Sequence, residues 1–137
     1  MHLRHVGLTC SSEDNADKFY RDLLGLKKSE PKTLSSDLSH AIFNTDAKLQ
    51  MINYMDENSH FEIFVADQVD MPRDPIAHQC LEVGDLPEFL DNCRAIGVEV
   101  ALIPKGDKTL TFINDFDGNL FEIKRCALKK ERPASRD

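Results

Sequence analysis

Four residues of this chain have the types and places to hold a divalent cation: His5, Glu62, His78 and Glu122. Each imidazole stands in an apolar, strand-like run, His5-Val6-Gly7-Leu8-Thr9 in one half and His78-Gln79-Cys80-Leu81-Glu82-Val83 in the other. Each carboxylate is the centre of the same tripeptide, Phe61-Glu62-Ile63 and Phe121-Glu122-Ile123. A Glu turned inward from such a run carries a heavy desolvation cost if unpaired, so an inward Glu calls for a cation. Taken singly, each residue has an ordinary alternative, an outward Glu on a half-buried strand or a hydrogen-bonded core His. Recurrence at matched places in both halves favours a ligand set. Two imidazoles with two carboxylates suit Zn, Ni, Co, Mn or Fe(II), and suit neither an all-oxygen Ca site nor a thiolate Zn site.

The elements that must position these residues also recur. The first half predicts a strand over 3–9 and a helix capped by Ser11 or Ser12. That helix carries the apolar stripe Ala16, Phe19, Tyr20, Leu23 and Leu24 and is closed by Gly25. A short strand over 26–29, a polar loop over 30–37 and a hairpin of strands over 48–54 and 60–65 follow. Ser35-Ser36-Asp37 suits either a helix cap or a strand entry. The second half predicts a strand over 77–83, then a helix from Leu86 with Phe89, Leu90, Cys93 and Ile96 on one stripe, stopped at Gly97. Strands over 98–102, 109–113 and 120–124 complete it, with turns at 104–107 and 115–119. Each half reads as β-α-β-β-β, so the expected class is α+β, built from two tandem modules. The modules span 1–66 and 77–126, joined by a linker over 67–76 and followed by a polar tail over 127–137. Strand alternation then gives each donor one defined side of its sheet.

Bulk properties narrow the partners. The chain has 137 residues, 41% hydrophobic and 30% charged, with a net charge of −7. That charge disfavours nucleic acid and anionic membrane, which need clustered Lys and Arg. The one basic cluster, Lys124-Arg125 with Lys129-Lys130, is interrupted by Glu131 and reads as solvated. The cysteines Cys10, Cys80, Cys93 and Cys126 have no C-x-x-C spacing; Cys10 and Cys80 read as small hydrophobes within strands. No secretory leader or membrane-spanning run is evident, so the expected compartment is a reducing cytoplasm.

The sequence resembles the vicinal oxygen chelate superfamily, which includes glyoxalase I, bleomycin-resistance proteins, fosfomycin-resistance enzymes, methylmalonyl-CoA epimerase and extradiol dioxygenases. The likeness rests on His5-Val6-Gly7-Leu8, Phe19-Tyr20-Arg21-Asp22-Leu23-Leu24-Gly25-Leu26, Ala77-His78 and Asp115-Phe116-Asp117-Gly118-Asn119-Leu120-Phe121-Glu122-Ile123. It implies half-barrel sheets enclosing a metal, with ligands at His5, Glu62, His78 and Glu122. Gln50 is the rival of Glu62, because some members carry that ligand one strand earlier. Phe116 replaces the proline usual in the family's turn, which is expected to alter the rigidity of the turn and not the placement of Glu122.

A His, Glu, His, Glu set resembles glyoxalase I (lactoylglutathione lyase) more than the dioxygenases. The implied reaction is proton abstraction beside a carbonyl polarised by the divalent ion, with Glu122 or Glu62 as the base. No arginine follows the first strand to receive a glutathione carboxylate; Thr9 and Cys10 stand there. The expected substrate is therefore small and neutral or singly charged, with Thr9, Cys80, Phe112 and Asn114 as candidate pocket walls. His60, two residues from Glu62, shares its strand face; it suits an ordinary surface or edge position first and a supporting group for the site second. No nucleotide cofactor is implied. The alternatives are a non-catalytic binding protein of the bleomycin-resistance type and an Fe(II) dioxygenase. A homodimer is expected, with the His5/Glu62 half of one chain meeting the His78/Glu122 half of the other, or with both halves meeting inside each chain.

Overall fold

The protein is described by a computed structural model over residues 1–66 and 73–126. The expected tail, Lys129-Lys130 and positions 67–72 of the expected linker lie outside the described residues. The chain divides into two compact units, Met1–Arg73 and Asp74–Asp137.

The first unit opens with β1 (Val6–Cys10) and a helix whose first turn, α1 (Glu13–Ala16), continues as a π-helical stretch over Asp17–Leu23. Ser12 caps it, its Oγ accepting from Asn15 N at 3.1 Å, and Glu13 and Asp14 place negative charge at the positive end of the helix. The wide turn is carried by Leu24 N donating to Phe19 O, five residues back, at 3.0 Å. It turns Ala16, Phe19 and Tyr20 fully inward, while Leu23 and Leu24 are only half-buried. Gly25, at φ 74°, ends the helix as its position predicts.

Five strands form this unit's sheet. The order is β1, β5 (His60–Val65), β4 (Leu49–Met55), β2 (Lys27–Lys28), and β3 (Lys32–Leu34) also pairs with β4. The short strand β3 corrects the expected loop over 30–37, because Lys32 to Leu34 take the ladder positions opposite Met51 to Leu49. The ambiguous segment after it is helical, α2 (Ser36–Phe43), capped by Ser35 and closed by Asn44 at φ 54°. The first module is therefore β-α-β-β-α-β-β, one strand and one helix richer than expected. Strand β1 starts at Val6 and not at residue 3, since its parallel ladder with β5 begins at Val6 opposite Phe61.

The second unit keeps the expected order. Its sheet runs β6 (His78–Val83), β9 (Leu120–Arg125), β8 (Lys108–Asn114), β7 (Val100–Lys105), with α3 (Leu86–Ala95) after β6. Strand β7 runs on through Pro104 and Lys105, where a turn is expected from the sequence. It is an edge strand, so the missing proline N–H leaves no ladder bond unmade. The hairpin then needs only Gly106-Asp107, with Gly106 at φ 64°.

In both units the first strand runs parallel to the last, and one sheet face is packed. Tyr20 lies against Tyr54 and Phe61 at centroid distances of 5.6 and 5.4 Å, above a sheet face that also buries Ile52 and Ile63. In the second unit Leu90, Cys93, Ile113, Phe121 and Ile123 are buried. Burial pushes the Cys93 thiol up to about 11, which keeps it protonated and inert. Cys10 is buried as expected, whereas Cys80 is exposed. Cys80 alternates with Gln79 and Leu81 and so projects from the opposite face of β6.

One polar knot ties helix to sheet. The Tyr54 hydroxyl donates to Asp17 Oδ1 at 2.7 Å, and Lys28 Nζ reaches both Asp17, at 3.0 Å, and Glu13. Burial, then the bond to Asp17, raises the phenol pKa; the Glu13 bond raises that of Lys28 against a burial penalty. Raised values favour the protonated forms, so this stabilisation is complete below the ordinary tyrosine range near about pH 10 and is lost progressively above it, as pH rises toward and through the raised folded values. Tyr54→Phe is expected to cost about 1–2 kcal/mol in urea unfolding between about pH 6 and 9. The deficit should shrink above about pH 10, where the wild type loses the same contribution.

A second knot sets the turn before β9. Asp115 is buried; its Oδ1 accepts from Asp117 N at 2.9 Å and Asn119 N at 2.8 Å, and its Oδ2 accepts from Asn119 Nδ2 at 2.7 Å. The side chain of Asp115 therefore organises the turn, with or without a proline at 116. Asp115→Ala should destabilise by about 2–3 kcal/mol, because several donors lose a charged acceptor at once. Hydrogen exchange should show the loss first at Leu120 to Ile123.

Candidate functional site

Parallel pairing of first and last strand fixes where the expected donors stand. In the first unit Gly7 lies opposite Glu62, and His5 is two residues before Gly7. In the second, Cys80 lies opposite Glu122, and His78 is two residues before Cys80. Residues two apart share a face, and opposed residues share a face. The second unit therefore turns His78 and Glu122 to one sheet face, opposite buried Phe121; in the first, Glu62 takes the corresponding face and His5, just ahead of β1, reaches it.

The first pair is in reach. His5 Nε2 stands 3.5 Å from Glu62 Oε1, with side-chain exposures of 43% and 20%. That is long for a hydrogen bond, whose usual length is about 2.9 Å. Two donors each about 2.1 Å from one ion, separated by a tetrahedral angle, stand about 3.4 Å apart. The spacing suits two ligands of one cation. In the second unit the His78 Nδ1–H donates to Ile76 O at 2.8 Å. This leaves Nε2 as the lone-pair nitrogen, the arrangement that pre-sets a histidine for metal. The Phe112 ring, opposite Glu122 in the ladder, lies edge-on to His78 at 5.9 Å. Among the described residues no three His, Cys, Asp or Glu side chains gather closely enough to hold a metal within one cluster; the close imidazole–carboxylate contact is that of His5 and Glu62, while His78 and Glu122 share only the matching register.

The register separates Glu62 from its rival. Gln50 pairs with Val65, whose neighbours Ile63 and Phe61 on the same face are buried. Gln50 thus belongs to the side of β4 away from Glu62, while Asn53, opposite Glu62, shares the donor face. Of the candidate pocket walls, Thr9 lies opposite Phe64, and Cys80 and Phe112 lie opposite or beside Glu122, all on donor faces. Asn114 shares that face opposite Leu120, but its Nδ2 donates to Gly118 O at 3.3 Å and braces the turn. Desolvation, then the Glu122 carboxylate, raises the Cys80 thiol pKa, so the thiol is not activated.

Asn53 escaped the sequence reading. His60 Nε2 donates to Asn53 Oδ1 at 2.7 Å, and the His60 ring lies 5.4 Å from that of His5. The signal was present in the hairpin. A turn of Asp56 to Ser59 forces Met55 opposite His60, and hence Asn53 opposite Glu62.

The sequence profile of the glyoxalase/bleomycin resistance protein/dioxygenase superfamily matches residues 2–123. The chain belongs to this superfamily. Solved structures agree on the fold. A glyoxalase family protein from Bacillus cereus superposes with a TM-score of 0.70 at 15% identity, over 91% of this chain and 93% of that one. A glyoxalase family protein from Enterococcus faecalis gives 0.67 at 19% identity, over 89% and 95%. A variant of the fosfomycin resistance protein FosX from Listeria monocytogenes, solved with Mn(II) and 1S,2S-dihydroxypropylphosphonic acid, gives 0.68 at 15% identity, over 95% and 96%. No curated protein matches the sequence. The two-module α+β architecture expected from the sequence is thus present, with one strand and one helix more in the first module than the sequence pattern predicts. No helix among the described residues is long and apolar enough to cross a membrane.

Register gives a direct discrimination at the first donor pair. Glu62→Ala should weaken divalent-metal uptake by more than the roughly 10–100-fold that loss of a merely supporting group costs. Gln50→Ala should leave it within about twofold of the parent, since Gln50 is on the other face. Titration of both variants with Zn(II) checks this.

Proposed function

We propose that the protein is a divalent-metal-dependent enzyme that moves a proton beside a carbonyl of a small substrate, in the manner of glyoxalase I. The observation that carries this reading is the imidazole–carboxylate pair at metal-ligand spacing in the first unit; in the second unit His78 and Glu122 stand at the same ladder register. His5, Glu62, His78 and Glu122 would hold one ion, as two pairs drawn from one chain or from two chains of a homodimer. When bound, the ion supplies Lewis-acid polarisation of a carbonyl oxygen. The chain's own residues supply the rest. His78, fixed through Ile76 O, keeps Nε2 aimed as a lone pair. Glu122 takes the proton from the carbon beside the carbonyl and returns it, with Glu62 as the other candidate base. Phe112 and Cys80 line Glu122 with little polarity, and Thr9 offers a hydroxyl beside the other pair. The chain's acidity and the lack of an arginine after β1 favour a substrate that is neutral or singly charged.

A second reading is a resistance enzyme or binder acting on a small antibiotic, favoured by the likeness to FosX, whose structure carries Mn(II) and a diol phosphonate. Elemental analysis with a Glu122→Gln variant separates the two. The first reading expects bound Zn, Ni, Co or Mn in the purified parent. It also expects solvent deuterium to enter beside the carbonyl of 2-oxo aldehyde adducts or 2-hydroxy carbonyl compounds. In Glu122→Gln the other three donors and the amide oxygen hold the metal more weakly, and at saturating metal exchange falls by about 100- to 10,000-fold, the usual loss of a general base. Metal without exchange on any such compound, or a protein that binds no metal and keeps its fold in Glu122→Ala, contradicts the reading. Oxygen-sensitive Fe(II) would point to a dioxygenase.

A further inference from the structure

The two donor pairs are matched in register, but their surroundings are not. Opposite Glu62 stands Asn53, and opposite Glu122 stands Phe112. Two residues before Glu62 stands His60, and two before Glu122 stands Leu120. The apolar second unit holds its histidine by a backbone carbonyl and a phenyl edge. The first unit holds its own by a polar relay. Asn53 Oδ1 accepts the His60 Nε2–H at 2.7 Å, and the half-buried His60 ring packs at 5.4 Å and 57° against His5, whose Nε2 stands 3.5 Å from Glu62.

His5 needs such support. It precedes β1 and lies outside the ladder that begins at Val6. With 43% of its side chain exposed, its imidazole has several open rotamers, each a different position for Nε2. A neighbouring ring held in one place restricts that choice. His60 is itself held because its Nε2–H is committed to an acceptor on the adjacent strand, which fixes both its ring plane and its tautomer.

We propose that His60, locked by Asn53, is a positioning residue that aims the His5 imidazole toward Glu62 and thereby sets the cation affinity of the first donor pair. The assignment rests on the functional reading above for the cation, and on geometry alone for the orientation of His5. His60 supports the histidine and not the carboxylate beside it in sequence. The relay belongs to the first module only, so the two donor pairs are not equivalent: the first depends on side-chain hydrogen bonding, the second on backbone.

The test uses the full chain and Zn(II) or Mn(II) alone as probe. His60→Leu and Asn53→Leu should stay folded, each with a cooperative urea transition at a slightly lower midpoint. Both should bind the ion about 10–100-fold more weakly than the parent, the usual cost of losing a group that orients a ligand. Asn53→Asp keeps an acceptor for His60 Nε2–H and should retain parental affinity or better. Nitrogen-15 spectra of the histidine side chains in metal-free protein give a second readout. The parent should show His60 protonated on Nε2, while Asn53→Leu should show mixed His60 tautomers and displaced His5 resonances. A folded His60→Leu variant that binds as tightly as the parent, or leaves the His5 resonances unmoved, overturns the proposal. A parent that binds neither ion overturns the functional reading, and the metal-free spectra then decide the orientation of His5 by themselves.

Discussion

In each module the first strand pairs in parallel with the last. Parallel neighbours cannot be joined by a tight hairpin, so a long crossover must intervene. The crossover holds the helix, which covers one sheet face. Aromatic side chains fill that face; burying each contributes about 1.5–3 kcal/mol, and the wide turn over Asp17–Leu23 lets Phe19 and Tyr20 both point inward. The other face carries His and Glu at a two-residue offset, once per module. Packing one side of the sheet thus determines what the opposite side presents.

A shift of one residue in either parallel ladder would send Glu62 or Glu122 into the helix-packed side. Burial of Phe61 and Ile63, and of Phe121 and Ile123, on either side of the carboxylates opposes such a slip. The repeated Phe-Glu-Ile tripeptide is therefore a register lock as well as the source of each exposed-face carboxylate. At the end of the second module the same task falls to Asp115, which gathers the turn ahead of β9. Beyond the shared register the modules diverge: a histidine–asparagine pair flanks one carboxylate, a leucine and a phenylalanine the other.

Much of this was legible in the sequence because it is written in short periods. The Phe19-Tyr20 stripe, the Gly25 stop and the hairpin around Asp56 to Ser59 are local signals, and they placed α1, β4 and β5 within a residue or two. The same tripeptide in two halves located Glu62 and Glu122 on matching strands. What escaped was non-local. Lys32-Thr33-Leu34 has no strand signature of its own and pairs only because β4 offers an open edge. Ser35-Ser36-Asp37 resolves to a helix only once β3 has ended ahead of it. Cys80 looked like a core residue inside an apolar run, and only its register opposite Glu122 shows that it faces outward. Pro104 reads as a turn until β7 is known to be an edge. The role of Asn53 needs three strands at once, since it follows from the His60 ladder position, the Glu62 ladder position and the His5 ring together.

The proposed function requires His5, Glu62, His78 and Glu122 to bind one divalent ion. X-ray absorption at the metal edge of Zn- or Co-loaded protein tests it most directly. Two imidazole nitrogens and two carboxylate oxygens at about 2.0–2.2 Å are expected. A shell containing sulfur at about 2.3 Å, or an all-oxygen shell with no imidazole scattering, would contradict it.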